Sequence, residues 1–542
     1  MIVILADDLT GASDAAATFA ALGYSTALRL RPGIPTVPVD VCSFTANNRH
    51  LSPQAAYEAA RTTLLPVADS LSHLFIKIDS TMRGPILPHI LGALSAKSGH
   101  GDIDAGRVQS ELARSVEAKE DVEARSAEYG SRVTACQTGK MTNIVNEHSS
   151  LMALICPAYP EMGRQVINQV VLVDGTPLAE TAIADDPVTM VQNSTLAGML
   201  DSARFEAPKA CGTQHFSGNP ENEQVVALKS EGDWEKTLGR ALGEGVRVAT
   251  VDAATRADLA ELADGLAKFP QIVPVGSAGL AAECARIWAG EHLSVRRSYS
   301  LQDDTSSPPA VIPSTASVPS TPAVIPLDAE SPALPATVIL PKAGSPSPQS
   351  AMSDTRPCSH RHPQPTLVLI SSCHPANTTQ LDLYLAHYRE STVVLSPDLK
   401  TATDPDSLTL WLAAADLQNA DTIIVVRPEE RAANPEVAAG LASILGAATA
   451  ALVRRIHPGT LVLVGGDGAA ATLNELGVTE LKVNPPLAEG IGSATAIDGS
   501  PGLSVVTKAG GFGGPETLTR MVAYYQQHMK QGQVPCRDKE VR

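Results

Sequence analysis

The sequence predicts an α/β protein of two domains with mainly parallel sheets and a ligand cleft between them. Three observations predict it. Short apolar runs alternate with helix-patterned segments, as parallel strands joined by crossover helices require. Several of those runs end directly in carboxylates, hydroxyls or glycines. In open α/β sheets that edge is where ligands bind. A proline-rich, low-complexity tract interrupts the second half without ending its strand signals.

The opening run Ile2-Val3-Ile4-Leu5 reads as a strand that ends in Asp7-Asp8, after which Gly11 turns the chain into an alanine-rich helix from Ser13 to Leu22. Strands follow at Thr26 to Leu30, Val39 to Phe44, Leu74 to Ile78 and Leu151 to Cys156. Helices are expected over Pro53 to Leu65 and Pro85 to Ser95. Asp174-Gly175, between apolar runs, is a hairpin signal. The polar stretch 97–149 reads as a surface insertion in a first domain spanning residues 1–224. Its Gly139-Lys140 pair lacks the glycine spacing and the hydroxyl of a P-loop.

A second domain is expected over residues 225–535. Strands are read at Val246 to Val251, Ile272 to Val275, Thr366 to Ile370, Thr422 to Val426, Leu461 to Val464 and Ser504 to Thr507. The tract 301–365 holds fourteen of the chain's forty prolines and repeats PAVIP at Pro309 and Pro322. It is expected to be a disordered insertion. Cys358, His360 and His362 at its end lack a second ligand pair, so they read as a solvated tract and no metal ligands are assigned.

The chain has 542 residues and a formal net charge of −17. That balance argues against nucleic acid and against anionic membrane surfaces as partners. No apolar run reaches the roughly 18 residues of a membrane span, and the N-terminus lacks a secretory pattern. Eight scattered cysteines without a C-x-x-C pair read as reduced thiols, hence a cytoplasmic protein. With aromatics at only 4%, the cores are expected to be built from Ala, Leu, Val and Ile.

Candidate chemistry gathers at strand ends. Lys77-Ile78-Asp79-Ser80-Thr81-Met82-Arg83-Gly84 places two cations, a carboxylate and hydroxyls before a helix. Arginine can hold a carboxylate through two parallel hydrogen bonds, and lysine supplies a point charge. The segment therefore suits a small polyhydroxy acid. Arg49, Tyr159 and Arg164 follow two other strands and extend the same edge. Asp8, then Asp7, is the expected acceptor of a hydroxyl proton. Glycine loops at Gly276-Ser277-Ala278-Gly279, Gly465-Gly466-Asp467-Gly468 and Lys508-Ala509-Gly510-Gly511 are of the kind that lets amides approach phosphate. Asp467 can face a metal or a ribose, and Lys508 is expected to neutralise phosphate charge. Each of these features also has a purely structural explanation in helix capping or tight packing.

As a set, ADDLTGASD (6–14), KIDSTMRG (77–84), CPAYPEMGR (156–164), DGTPLAETAIADDPV (174–188), GSAGLA (276–281), GGDG (465–468) and KAGGFGG (508–514) resemble the four-carbon acid sugar kinase family. The resemblance implies a sugar-acid-binding N-terminal domain and a nucleotide-binding C-terminal domain. It implies ATP-dependent phosphorylation of the 4-hydroxyl of threonate, erythronate or 3-oxo-tetronate, with MgATP as cosubstrate. By motif, Asp8, Lys77, Asp79, Ser80 and Arg83 line the acid-sugar site, and Ser277, Gly465 to Gly468 and Gly510 contact ATP. Two departures stand out. The family usually has Gly-Ser where this chain has Ser371-Ser372, and often Thr where it has Gly468.

These departures leave open a catalytically impaired sugar-acid-binding regulatory protein. Gly490-Ile491-Gly492 leaves open an NAD(P)-dependent oxidoreductase, although its third glycine is absent at Thr495. The sequence does not set the oligomeric state; a homodimer is among the arrangements it allows.

Overall fold

The computed structural model describes residues 1–98, 151–184, 189–201, 225–230, 232–300, 364–417, 420–428 and 435–530. The expected insertions at 97–149 and 301–365 lie almost wholly outside them, as do the Cys358, His360 and His362 tract and Gly139-Lys140. The described residues fall into two compact units, one made of those within Met1–Ser307, Asn434–Ala438 and Val478–Val483, and the other of the remaining described residues.

The first unit carries β1 (Ile2–Ala6), β2 (Thr26–Arg29), β3 (Val41–Thr45), β4 (His73–Lys77) and β5 (Met152–Cys156). A three-stranded antiparallel ribbon follows: β6 (Arg164–Ile167), β7 (Val170–Val173) and β8 (Thr176–Pro177). The main sheet is completed by β9 (Val226–Leu228), β10 (Val248–Val251) and β11 (Ile272–Gly276). Strand order from β2 is β2-β3-β1-β4-β11-β5-β10-β9, and every pairing in it is parallel. All five residues of β1, β3 and β5 are buried. Such continuous apolar runs are what a parallel sheet covered on both faces needs. Helix α1 (Leu9–Ala21) packs on the later helix Ala278–Ser300, and α2 (Pro53–Leu64) packs on α3 (Ile86–Lys97).

The domain boundary expected at residue 225 is therefore corrected. β9, β10 and β11 belong to the first sheet, with β11 inserted between β4 and β5. The apolar runs were legible, but strand order is a long-range property. The Asp174-Gly175 hairpin is present, with both residues at positive φ (49° and 80°), as a tight two-residue turn demands.

The second unit is built on β12 (Thr366–Ile370), β13 (Thr392–Leu395), β14 (Thr422–Val426), β15 (Thr460–Val464), β16 (Glu480–Ala488), β17 (Ile491–Ala496) and β18 (Ser504–Lys508). Their order is β13-β14-β12-β15-β18-β17-β16, parallel from β13 to β18 and antiparallel at β17–β18. Only Asn484 onward of β16 belongs to this unit. Gly490, at φ 71°, lies in the two-residue turn between β16 and β17. The Gly490-Ile491-Gly492 reading as a dinucleotide loop fails for that reason, because no helix follows it to receive a pyrophosphate.

Candidate active site

In the first unit, the register aligns Ala6 with Thr45 on one side and with Lys77 on the other. The segments leaving β1, β3 and β4 therefore emerge side by side at one carboxyl edge. Asp8 is the N-cap of α1, which begins at Leu9, four residues earlier than the sequence pattern implies. Its Oδ1 accepts from Gly11 N at 2.8 Å and its Oδ2 from Thr10 Oγ1 at 2.6 Å. Gly11 thus lies inside the first helical turn rather than before it. A Cβ there would stand 2.6 Å from Asp8 Oδ1 and 2.9 Å from Lys77 Nζ. Its absence lets the helix start press against both charges.

Arg49 bridges the two carboxylates. Its Nε donates to Asp7 Oδ2 at 3.0 Å, and its Nη2 lies 3.0 Å from both Asp7 Oδ2 and Asp8 Oδ1. The loop holding Arg49 is anchored by Asn48, whose N–H donates to Asp7 O at 3.0 Å and whose Nδ2 reaches Ala56 O and the His89 ring. Arg49, expected to meet the substrate, holds the aspartate pair with its Nε and Nη2.

The two aspartates differ sharply. Burial pushes the Asp7 carboxyl above the usual carboxylate range, with Asp8 adding to the effect and Arg49 opposing it. For Asp8, burial is outweighed by Arg49, Lys77, Thr10 and Gly11, which hold it below that range. Asp7 is 2% exposed, and its Oδ1 has no hydrogen-bond partner among the described residues. Such an atom costs folding free energy unless it serves another end.

Lys77, also buried, makes one hydrogen bond among the described residues, from Nζ to Ile78 O at 2.9 Å. Asp79 accepts from Arg83 Nε at 2.6 Å, from Arg83 Nη2 at 3.3 Å and from Thr81 Oγ1 at 2.5 Å. Arg83, then Arg49, holds its carboxyl far below the ordinary value against the effect of burial. Ser80 is buried in the same turn. Arg164 opens β6, donates to Met162 O and is close enough to feel Asp79 and Arg83, although burial lowers its pKa overall. The structure thus gathers Asp7, Asp8, Arg49, Lys77, Asp79, Ser80, Arg83 and Arg164 within one unit.

Ser277, expected at the nucleotide, follows β11 in this same unit. Its Oγ donates to Ala158 O at 2.7 Å and accepts from Gly279 N at 3.3 Å. A Cβ on Gly279 would stand 3.0 Å from Ala158 O. The GSAG turn therefore seats its helix tightly against the end of β5.

In the second unit, Ile370, Val464 and Lys508 are in register, so the segments after β12, β15 and β18 meet at one edge. Gly465, at φ 107°, opens the helix Gly466–Glu475, which carries Asp467 in its first turn. Ser371 donates from Oγ to Val464 O at 3.0 Å. Its side chain occupies the space that a Cβ on Gly468 would need, and a Cβ on Gly465 would also stand 2.7 Å from Ser371 Oγ. The two departures noted in the sequence thus face each other: serine at 371 fits because position 468 is glycine. Lys508, expected at a phosphate, donates from Nζ to Asn377 Oδ1, Ala509 O and Gly510 O at 3.0, 3.2 and 3.1 Å, so its three donors are met from within the protein. Gly510 and Gly511 lie over the Ser372–His374 turn.

A model of the sugar-binding N-terminal domain matches residues 2–284, and one of the nucleotide-binding C-terminal domain matches 367–518. The chain belongs to the four-carbon acid sugar kinase family. A D-threonate kinase of Bordetella bronchiseptica is 26% identical over 531 residues, covering 95% of each chain. A 3-oxo-tetronate kinase of Cupriavidus necator is 23% identical over 388 residues, 67% of this chain and 69% of its own. A Salmonella typhimurium structure described as a putative tRNA synthase shares the fold. Its TM-score is 0.56 at 17% identity, over 96% of this chain and 98% of its own. This family member is a kinase, and the first model's extent agrees with the placement of β9 to β11 in the first unit. Among the described residues, no helix is long and apolar enough to cross a membrane.

Proposed function

We propose that this kinase transfers the γ-phosphoryl of ATP to the 4-hydroxyl of a four-carbon sugar acid of the threonate, erythronate or 3-oxo-tetronate type. One observation carries the reading: a buried carboxylate oxygen without a partner, Asp7 Oδ1, on the same edge as Lys77, an ammonium with unfilled donors. A hydroxyl can donate to the first and a carboxylate can accept from the second. Relatives with these activities, and the match to a nucleotide-binding domain, support ATP as the phosphoryl donor.

Asp7 takes the role of base in preference to Asp8. Asp8 is occupied on both oxygens by helix capping and holds Arg49, which a proton acceptor could not do while remaining available. Asp7 has the raised pKa and the free oxygen that proton transfer requires. Lys77 grips the acid group, Ser80 serves a hydroxyl, and the Asp79–Arg83 pair shapes the wall with Arg164. Arg49 keeps two adjacent carboxylates ionisable.

In the nucleotide unit, the first turn of Gly466–Glu475 directs amides outward, as a phosphate site needs. Mg2+ commonly binds through one or two carboxylates together with nucleotide phosphates. Asp467 fits that requirement; bound there, the ion would neutralise charge on the transferring group. The mutual fit of Ser371 and Gly468 supports an intact loop rather than the impaired-binder alternative.

ADP release with MgATP across D- and L-threonate, D- and L-erythronate and their 3-oxo forms tests the proposal. Turnover with one acid establishes it and names the substrate. Absence of turnover with every acid, in a protein that binds ATP, rejects this substrate class.

A further inference from the structure

We propose that Asn377 is a positioning residue for the nucleotide site, fixing the Lys508 ammonium so that Lys508 shapes the glycine loop Ala509–Gly511. The inference rests on the kinase reading for its nucleotide and on side-chain geometry for the rest. Asn377 stands in the first turn of the helix Pro375–Tyr388 and is buried. Its Oδ1 accepts from Lys508 Nζ at 3.0 Å, while its Nδ2 lies 3.5 Å from Ser372 O.

Lys508 is 0% exposed, and among the described residues no carboxylate is hydrogen-bonded to it. Its remaining donors pull in two successive loop carbonyls, Ala509 O and Gly510 O. Ala509 N is itself held by Gly490 O at 3.4 Å; drawing the two carbonyls inward turns the Gly510 and Gly511 amides the other way, which is the arrangement an anion needs. Gln380, three residues beyond Asn377 on the same helical face, donates from Nε2 to Phe512 O and Gly513 O at 3.2 and 3.0 Å. One helix therefore braces both ends of the loop. Gly510 is obligatory within this brace, because a Cβ there would collide with Ser372 Oγ.

The test uses the full-length protein and three variants, Asn377→Ala, Asn377→Asp and Gln380→Ala. The readouts are MgATP affinity by calorimetry, KM for each substrate, melting temperature, and amide hydrogen exchange over residues 509–513. Loss of a hydrogen bond to a buried charge predicts that Asn377→Ala weakens MgATP binding about tenfold or more. Exchange over 509–513 should quicken while the sugar-acid KM stays unchanged. Asn377→Asp keeps the acceptor and should restore both properties. Gln380→Ala should quicken exchange at the Phe512 end.

Wild-type MgATP affinity in Asn377→Ala overturns the proposal, as does unchanged loop exchange. An equal loss in the alanine and aspartate variants does so too, since that would reflect a general packing defect. A wild-type protein that fails to bind MgATP defeats the kinase reading instead. The exchange comparison then still decides the loop role on its own.

Discussion

At the residue scale, two adjacent aspartates do different work because their oxygens have different partners. Asp7→Asn should lower kcat about a hundredfold or more, the range of a lost general base, with MgATP binding retained; near-normal turnover would return the role to Asp8. Asp8→Ala removes an N-cap, which should cost about 1–2 kcal/mol in urea unfolding. The Asp7 pKa is raised above 3.8, so the ionised form, the base in our proposal, is lost as pH falls through that higher value. The acid limb of kcat/KM should accordingly lie above the ordinary carboxylate range and vanish from the residual activity of Asp7→Asn. Ser371 and Gly468 form the other residue-scale unit. Gly468→Ala should impair folding or nucleotide binding, and Ser371→Gly in the same chain should relieve it. Additive effects in that double-mutant cycle would refute the steric coupling.

At the element scale, the strand ends were legible and the loop interiors were not. Apolar runs of parallel strands announce themselves, and so does a carboxylate or glycine at their ends. The sequence could not show that α1 begins at Leu9, because Leu9-Thr10-Gly11 carries no periodic signal and the cap is a side-chain contact. Nor could it show that Lys508 turns inward. Burial alone brings the Lys508 ammonium down to about 7. Its folded pKa is below the unfolded value, so its stability contribution is present above about pH 10.5 and is lost as pH falls through 7. The loop behaves oppositely, because the protonated ammonium has all three donors. MgATP affinity should therefore weaken as pH rises through about 7, and Lys508→Met should flatten that dependence in calorimetry.

At the scale of the whole molecule, chain order and compact units do not coincide. Glu480, far along the sequence, belongs to the first unit, where the start of β16 pairs antiparallel with β2. It is fully buried, forms an ion pair with Arg29 and accepts from Thr36 N at 2.9 Å. Glu480→Ala would strand a buried guanidinium, and removing one partner of a buried pair costs about 3–5 kcal/mol. Urea unfolding of the variant measures this; a change near zero would show that water or a neighbour replaces the carboxylate. The β16 sequence ELKVNPPLA hides its strand behind Pro485-Pro486, and its partner lies some 450 residues away, beyond any local pattern.

By itself the sequence determined the α/β class, the strand ends at which the candidate residues gather, the hairpin at Asp174-Gly175 and the family. These are local properties: apolar periodicity, turn residues, and motifs short enough to read along the chain. The tertiary structure alone decided that β9 to β11 belong to the first sheet. It also decided that Arg49 and Lys508 serve neighbouring groups, that Ser371 and Gly468 fit together, and that Asp7 keeps an oxygen free. Each of those depends on which distant residues share a buried space, where partners and desolvation set a side chain's role.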